Sequence, residues 1–333
     1  MTVKGIKKAS RGIRIPADPA SVALGALSLF SLLLIFRNPD IAITHMSSAL
    51  RLCARTLIPS LFPFMVLSEL MVSGNAVALI SPLLRRPAKA LFGISGEGAA
   101  AVLLGLICGF PIGAKTAAAL YKKGSIGKRE LTHILTFSNN PSSAFLISAV
   151  GASMFDDRHF GVLLFAISTV SALVVGIVGK FINRPSADSS PVFVKRTEEK
   201  PPRAVEVFTG AVTSSALSML SICAFVVFFS TLVGVLEYTV NAAALPEAVS
   251  TLWFGFFELT SGVWKASSVP TFGPYLAAAI VGWSGLSVHF QIMSICHGCD
   301  ISFTPYILAK LASAILNVLL LFLLLCVGHV FQI

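Results

Sequence analysis

Apolar runs of near-membrane length alternate with short polar and basic breaks along the chain, at about 21–36, 57–81, 130–153, 160–181, 212–236, 275–296 and 303–328. Each approaches the roughly 20 apolar residues needed to cross hydrocarbon. The pattern predicts an all-α polytopic membrane protein with about seven transmembrane helices. Two further apolar segments, 99–121 and 252–268, are too short and too broken by Gly and Pro to cross twice.

The first of these lies between two basic clusters, Arg85, Arg86 and Lys89 before it and Lys122, Lys123, Lys128 and Arg129 after it. A straight helix would put one cluster on the outer face, against the bias of Lys and Arg toward the cytoplasm. A re-entrant hairpin turning over Gly109, Pro111 and Gly113 keeps both inside. Its first arm, Ala99–Phe110, is about 18 Å long at 1.5 Å per residue, enough to pass mid-membrane. The flanks of 252–268 lack Lys and Arg, which fits a second hairpin entering from outside and turning at Gly262.

Two of the spans carry polar interruptions, Ser138-Asn139-Asn140-Pro141 and Trp283-Ser284-Gly285-Leu286-Ser287-Val288-His289-Phe290-Gln291. Span, hairpin, broken span and span thus recur from opposite sides, an inverted repeat read from pattern, since residue identity between the halves is low. The expected divisions are 1–56 (basic segment, first span and an amphipathic stretch with Arg51 and Arg55), 57–182 (first repeat), 183–204 (a Pro/Ser/Lys/Glu-rich cytoplasmic linker) and 205–333 (second, inverted repeat).

Composition agrees with this reading. Hydrophobic residues make up 55% of the chain and charged residues 12%, about half the charge of a soluble protein, and mean hydropathy is +0.85. The net charge of +10 comes largely from residues between spans, so it reports orientation, with the N-terminus cytoplasmic, rather than a nucleic-acid partner. The six cysteines are scattered, against a disulfide scaffold. The basic start and the run Ser21–Phe36 mimic a signal peptide, but no small-x-small site accompanies them, so an uncleaved first span is expected.

Unwound backbone is tolerated in a bilayer only where protein or water covers it. Broken helices at matching places in two halves point to a transporter's solute site. Lys115, near the first hairpin tip, is an ionisable residue at membrane depth and a functional candidate by default. Thr116 adds a hydroxyl, and the helix starting near Ile112 presents free N–H groups that favour an anion. Pro141 removes a ladder donor and frees carbonyls near Ser138, Asn139 and Asn140. The Asn side chains can satisfy those carbonyls, glue neighbouring helices or bind solute. In the second half Thr260, Ser261, Ser287, His289 and Gln291 are the candidate solute ligands. Glu258 could couple a cation or proton or neutralise a lysine; His289 could titrate or simply pack. Glu69 is a weaker candidate in the second span.

Three motifs are rejected. Gly109–Thr116 imitates a phosphate-binding loop, but Ala114 stands where that motif has Gly and no strand precedes it. Cys296-His297-Gly298-Cys299 is a lone pair at a span end, so no metal site is expected. No Ser/His/Asp arrangement or HExxH occurs, so no enzyme and no cofactor are expected. The expected partners are a small-molecule solute and the lipid bilayer, with a homo-oligomer admissible and no nucleic acid.

At these residues the chain resembles the YlbJ, or SpoVV, family of sporulation integral membrane proteins of endospore-forming bacteria, in the nucleoside-recognition gate superfamily. The resemblance runs from about Ala42 to Leu324 and rests on four motifs: 52–64, 109–116, 138–140 and Gly285-Leu286-Ser287-Val288-His289-Phe290-Gln291. The family usually has Gly beside the last motif's Gly-Leu-Ser, where this chain has Trp283-Ser284. The resemblance implies a fold related to concentrative nucleoside transporters. It also implies movement of dipicolinic acid, a flat aromatic dianion, across the outer forespore membrane.

Overall fold

Asn38 and Pro39 end one helix and start the next: Asn38 leaves the helical conformation (φ −131°, ψ 59°), and Pro39 sits in the first turn of its successor, where its missing N–H is not needed. Helix α1 is Pro19–Arg37. Its Ser28 and Ser31 hydroxyls fold back onto the Leu24 and Leu27 carbonyls, both at 2.8 Å, which hides their polarity from an apolar exterior. The computed structural model describes residues 19–73, 76–182, 203–240 and 246–331, and among these every regular element is helical.

Helix α2 (Pro39–Leu52) continues through a π-helical turn at Cys53–Leu57 into α3 (Ile58–Ser73), and both pack along α9 (Ala204–Thr239). The stretch with Arg51 and Arg55 is therefore part of a long span and not a separate amphipathic lead-in. The second span also ends earlier than expected, because residues from Ala76 belong to α4 (Ala76–Leu91). This helix carries exposed Arg85, Arg86 and Lys89 and meets α5 (Gly96–Cys108) at a bend of 91°.

From α3 onward, apart from α4, which has no counterpart among the described residues of the second half, one order of elements occurs twice. A long helix, α3 or α9, precedes two short helices joined by a tight turn. In the first half these are α5 and α6 (Ile112–Lys122); in the second, α10 (Glu247–Phe257) and α11 (Leu259–Ala266). A broken helix follows. It comprises α7 (Lys128–Ser138) and the π-helical Phe145–Met154 in one half, α12 (Gly273–Trp283) and α13 (Gly285–Ile295) in the other. A long helix closes each half, α8 (Arg158–Ile182) and α14 (Thr304–Phe331).

Five helices among the described residues are long and apolar enough to cross a membrane, or six if the bent pair across 91–96 counts as one. Two of the expected spans fall outside that set. The apolar part of α1, Ser21–Arg37, is short, and the 130–153 span is divided by its break. The expected linker 183–204 lies outside the described residues apart from Arg203 and Ala204, which begin α9.

Each hairpin is drawn together by a glycine pair. A Cβ on Gly113 would lie 2.9 Å from the Gly105 Cα, and one on Gly262 would lie 2.3 Å from the Gly255 Cα. Gly113 and Gly262 are thus arm residues, inside α6 and α11, and not the turns expected from the sequence. The turns are at Gly109 (φ +76°) with Pro111, and at Glu258. Small residues at these crossings let backbones approach where lipid supplies no hydrophobic drive.

Candidate functional site

The first break is closed by its own side chains. Asn139 Nδ2 donates to the Leu135 carbonyl at 3.0 Å and Asn140 Nδ2 to that of Phe137 at 2.8 Å, which satisfies carbonyls that the interrupted helix leaves open. Ser142 Oγ then accepts from the Phe145 N–H at 3.1 Å and starts the next segment. The first hairpin tip docks here: the Phe110 N–H donates to the Asn140 carbonyl at 2.9 Å, and Gly109 lies against the Ser142 backbone.

The second break is built on Ser284, which has left-handed backbone (φ +74°), followed by Gly285 (φ +79°). The second hairpin tip docks on it: Gly285 packs against the Glu258 and Leu259 backbone, and Trp283 Nε1 donates to the Phe256 carbonyl at 2.9 Å. Both Glu258 oxygens are occupied by α11, accepting the Thr260 and Ser261 N–H groups at 2.9 and 2.6 Å. That arrangement makes Glu258 the N-terminal cap of the hairpin's second arm.

Lys310 of α14 joins the breaks. Its side chain is fully buried, and its ammonium donates to the Asn139 carbonyl, to Asn140 Oδ1 at 3.2 Å and to Ser284 Oγ at 3.3 Å. One turn earlier on the same face of α14, Tyr306 meets His289 Nδ1 at 3.0 Å. His289 stands edge-on to Trp283 with ring centres 4.4 Å apart. Around this centre Ser138 Oγ, Asn139 Oδ1, Ser287 Oγ and His289 Nε2 are buried without a hydrogen-bond partner among the described residues. Buried polar atoms are normally paired, so unpartnered ones on residues of the two breaks and of the helix after the second leave polar groups there that a guest or water could satisfy.

A comparison with curated proteins finds this chain 25% identical over 328 residues to the sporulation integral membrane protein YlbJ of Bacillus subtilis (strain 168), covering 89% of this chain and 80% of that protein. The chain is thus similar to YlbJ over most of its length. No family model matches it, and no solved structure matches it.

The expected site residues divide into two groups. Ser138, Asn139, Asn140, Ser287 and His289 stand at or beside the two breaks, and Gln291 follows, buried, on α13. Lys115 belongs elsewhere: its ammonium lies 3.0 Å from Glu69 Oε2 on α3 and 2.5 Å from Ser214 Oγ on α9, with over a third of its side chain exposed. Its charge is met inside the protein, against the expectation that it faces an anion. Thr116 is buried beside it on α6. Thr260 is buried on the second hairpin, and Ser261 bonds Ser230 of α9 through their hydroxyls. Cys296 and Cys299 are free thiols.

Three polar residues escaped the sequence reading, Lys310 and the pair Lys265 and Glu237, which stand 2.7 Å apart with Ser250 bonded to both, and Ser284 was read as part of the second break but not as a ligand. Lys310 had a usable signal. It is a lone cation within the apolar span Thr304–Cys326, and such residues are functional by default.

Proposed function

We propose that this protein is a carrier, not an enzyme, that moves a small aromatic dianion across a membrane, dipicolinate by family resemblance. The carrying observation is the buried Lys310 ammonium bridging the two breaks, whose residues Ser138, Asn139, Ser287 and His289 carry buried polar atoms without a partner among the described residues. A buried ammonium is destabilising by several kcal/mol unless matched, and no carboxylate among the described residues forms an ion pair with Lys310. A dicarboxylate would supply that charge. Ser138, Asn139, Ser287 and His289 would hydrogen-bond it, and Trp283 and Tyr306 would flank its ring.

The repeated order of helices, with each hairpin tip on its own half's break, supports reading the halves as an inverted repeat of the nucleoside-recognition gate type. The YlbJ likeness and the resemblance supply the setting we propose: sporulation, the outer forespore membrane, and a cytoplasmic N-terminus. The partners we propose are a small solute and the surrounding lipid, with self-association admissible.

The test is uptake of labelled dipicolinate and labelled uridine by vesicles holding the purified protein. Dipicolinate uptake above that of empty vesicles, competed weakly by uridine, is the expected result. Preference for uridine would make it a nucleoside carrier. Uptake of neither would favour a scaffold that does not transport.

A further inference from the structure

We propose that the Lys310 ammonium is a tethered cation, seated between the two helix breaks in a set of oxygens that would otherwise suit a dissociable monovalent ion. The seat has three oxygens of different kinds: the Asn139 main-chain carbonyl, the Asn140 side-chain carbonyl and the Ser284 hydroxyl. An ammonium has three protons and no acceptor, so these oxygens use its whole donor capacity. All three are neutral, hard oxygen ligands of the kind that bind alkali cations. With no carboxylate in the seat, only a single positive charge fits.

Two of the three oxygens are held in place by a second bond. Asn140 Nδ2 is committed to the Phe137 carbonyl, which turns Oδ1 toward Lys310. The Ser284 hydroxyl proton is committed to the Val281 carbonyl at 3.2 Å, leaving its lone pairs for the ammonium. The Asn139 carbonyl belongs to residues with no helical ladder, immediately before Pro141. A cation delivered by a side chain of α14 stays in the seat throughout a transport cycle, so solute movement would not be tied to an alkali-ion gradient. This consequence rests on the carrier reading; the seat itself does not.

Thermal unfolding of purified protein in choline, sodium, potassium or ammonium chloride at equal ionic strength tests the seat without transport. Wild type should show the same Tm in all four salts. Lys310→Ala should unfold at lower temperature in choline and gain about 2–4 °C when ammonium or sodium fills the space at tenfold its Kd. Lys310→Met, neutral but filling that space, should show no cation response. A wild-type Tm that rises with sodium or potassium, or a Lys310→Ala protein indifferent to all four salts, overturns the proposal. The wild-type arm stands even if Lys310→Ala does not fold. In vesicles, wild-type uptake should run equally fast in choline and in sodium; a sodium requirement overturns the tethered cation. Absence of uptake in every salt overturns the carrier reading instead, and the Tm series then decides on the seat.

Discussion

Lys265 lies 2.7 Å from Glu237 and ties the second hairpin to α9, as Lys115, 3.0 Å from Glu69, ties the first hairpin to α3. In both halves the lysine is on the hairpin's second arm and the glutamate on the long helix before it. A serine hydroxyl completes each pair, Ser250 and Ser214 respectively. These ammonium groups have carboxylate partners, whereas Lys310 has only neutral oxygens. The contrast separates the two lysines that fasten the hairpins by ion pairs from the one that bridges the two breaks through neutral oxygens.

If Lys115 fastens the first hairpin, Lys115→Met should lower Tm and reduce uptake of dipicolinate and of a neutral analogue, a pyridine dicarboxamide, by the same factor. The residual Glu69 side chain, 14% exposed, would be left unmatched. Adding Glu69→Gln should recover part of the stability, with a coupling of about 1 kcal/mol or less, because the Lys115 side chain is 36% exposed and solvent screens the pair. A loss confined to the dianion would show that Lys115 reads solute charge after all.

Local signals were legible in the sequence and cross-chain ones were not. The Asn139-Asn140-Pro141 break announces itself, because proline must interrupt the ladder and two amides can satisfy what it frees. The first hairpin turn was legible from basic flanks around a segment too short to cross twice. The second turn was misread because glycine is the usual turn residue, yet Gly262 serves close packing against Gly255 and the chain reverses at Glu258, whose carboxylate caps α11. The partners of Lys115 and Lys310 could not be read at all. Glu69 is 46 residues from Lys115, and Asn139 is 171 from Lys310, so only the fold brings them together.

The glycine pairs predict a sharp contrast between two Gly→Ala changes. A Cβ on Gly262 would sit 2.3 Å from the Gly255 Cα, a backbone atom that cannot swing aside, whereas one on Gly210 meets nothing within 4 Å. Gly262→Ala should lower Tm or prevent folded protein from accumulating, with a destabilisation of about 1–3 kcal/mol from overpacking. Gly210→Ala should be neutral or slightly stabilising in its helix. Equal behaviour of the two would mean that the hairpin arms are not in close contact.

Cysteine labelling should place residues 87 and 125 on one face of the membrane. Helices α5 and α6 form a hairpin, so the start of one and the end of the other lie at the same end, each beside basic residues. Lys180, near the end of α8, reaches the Ala90 carbonyl at 2.6 Å and brings a further cation to that end. Exposed Pro87→Cys and Ser125→Cys should react together with an impermeant thiol reagent added from the cytoplasmic side. Reaction from opposite sides would replace the hairpin with a straight span.

The adjacent asparagines should fail in different ways. Asn140 uses both ends of its amide, donating to the Phe137 carbonyl and accepting from Lys310. Asn140→Ala removes a neutral oxygen from a buried ammonium and leaves a carbonyl open, so Tm should fall by the equivalent of about 1–3 kcal/mol, and uptake should fall with it. Asn139 uses only its Nδ2, on the Leu135 carbonyl, while its Oδ1 is buried and unpartnered. Its main-chain carbonyl, which holds Lys310, survives any substitution. Asn139→Ala should therefore cost less stability, about 1 kcal/mol for one neutral hydrogen bond, yet reduce apparent solute affinity by about tenfold if that amide meets the solute. The measurements are Tm in detergent and concentration-dependent uptake in vesicles from the same preparation. If Asn139→Ala loses stability while apparent affinity is unchanged, the side chain merely closes the end of α7, and the solute contacts must come from Ser138, Ser287 and His289.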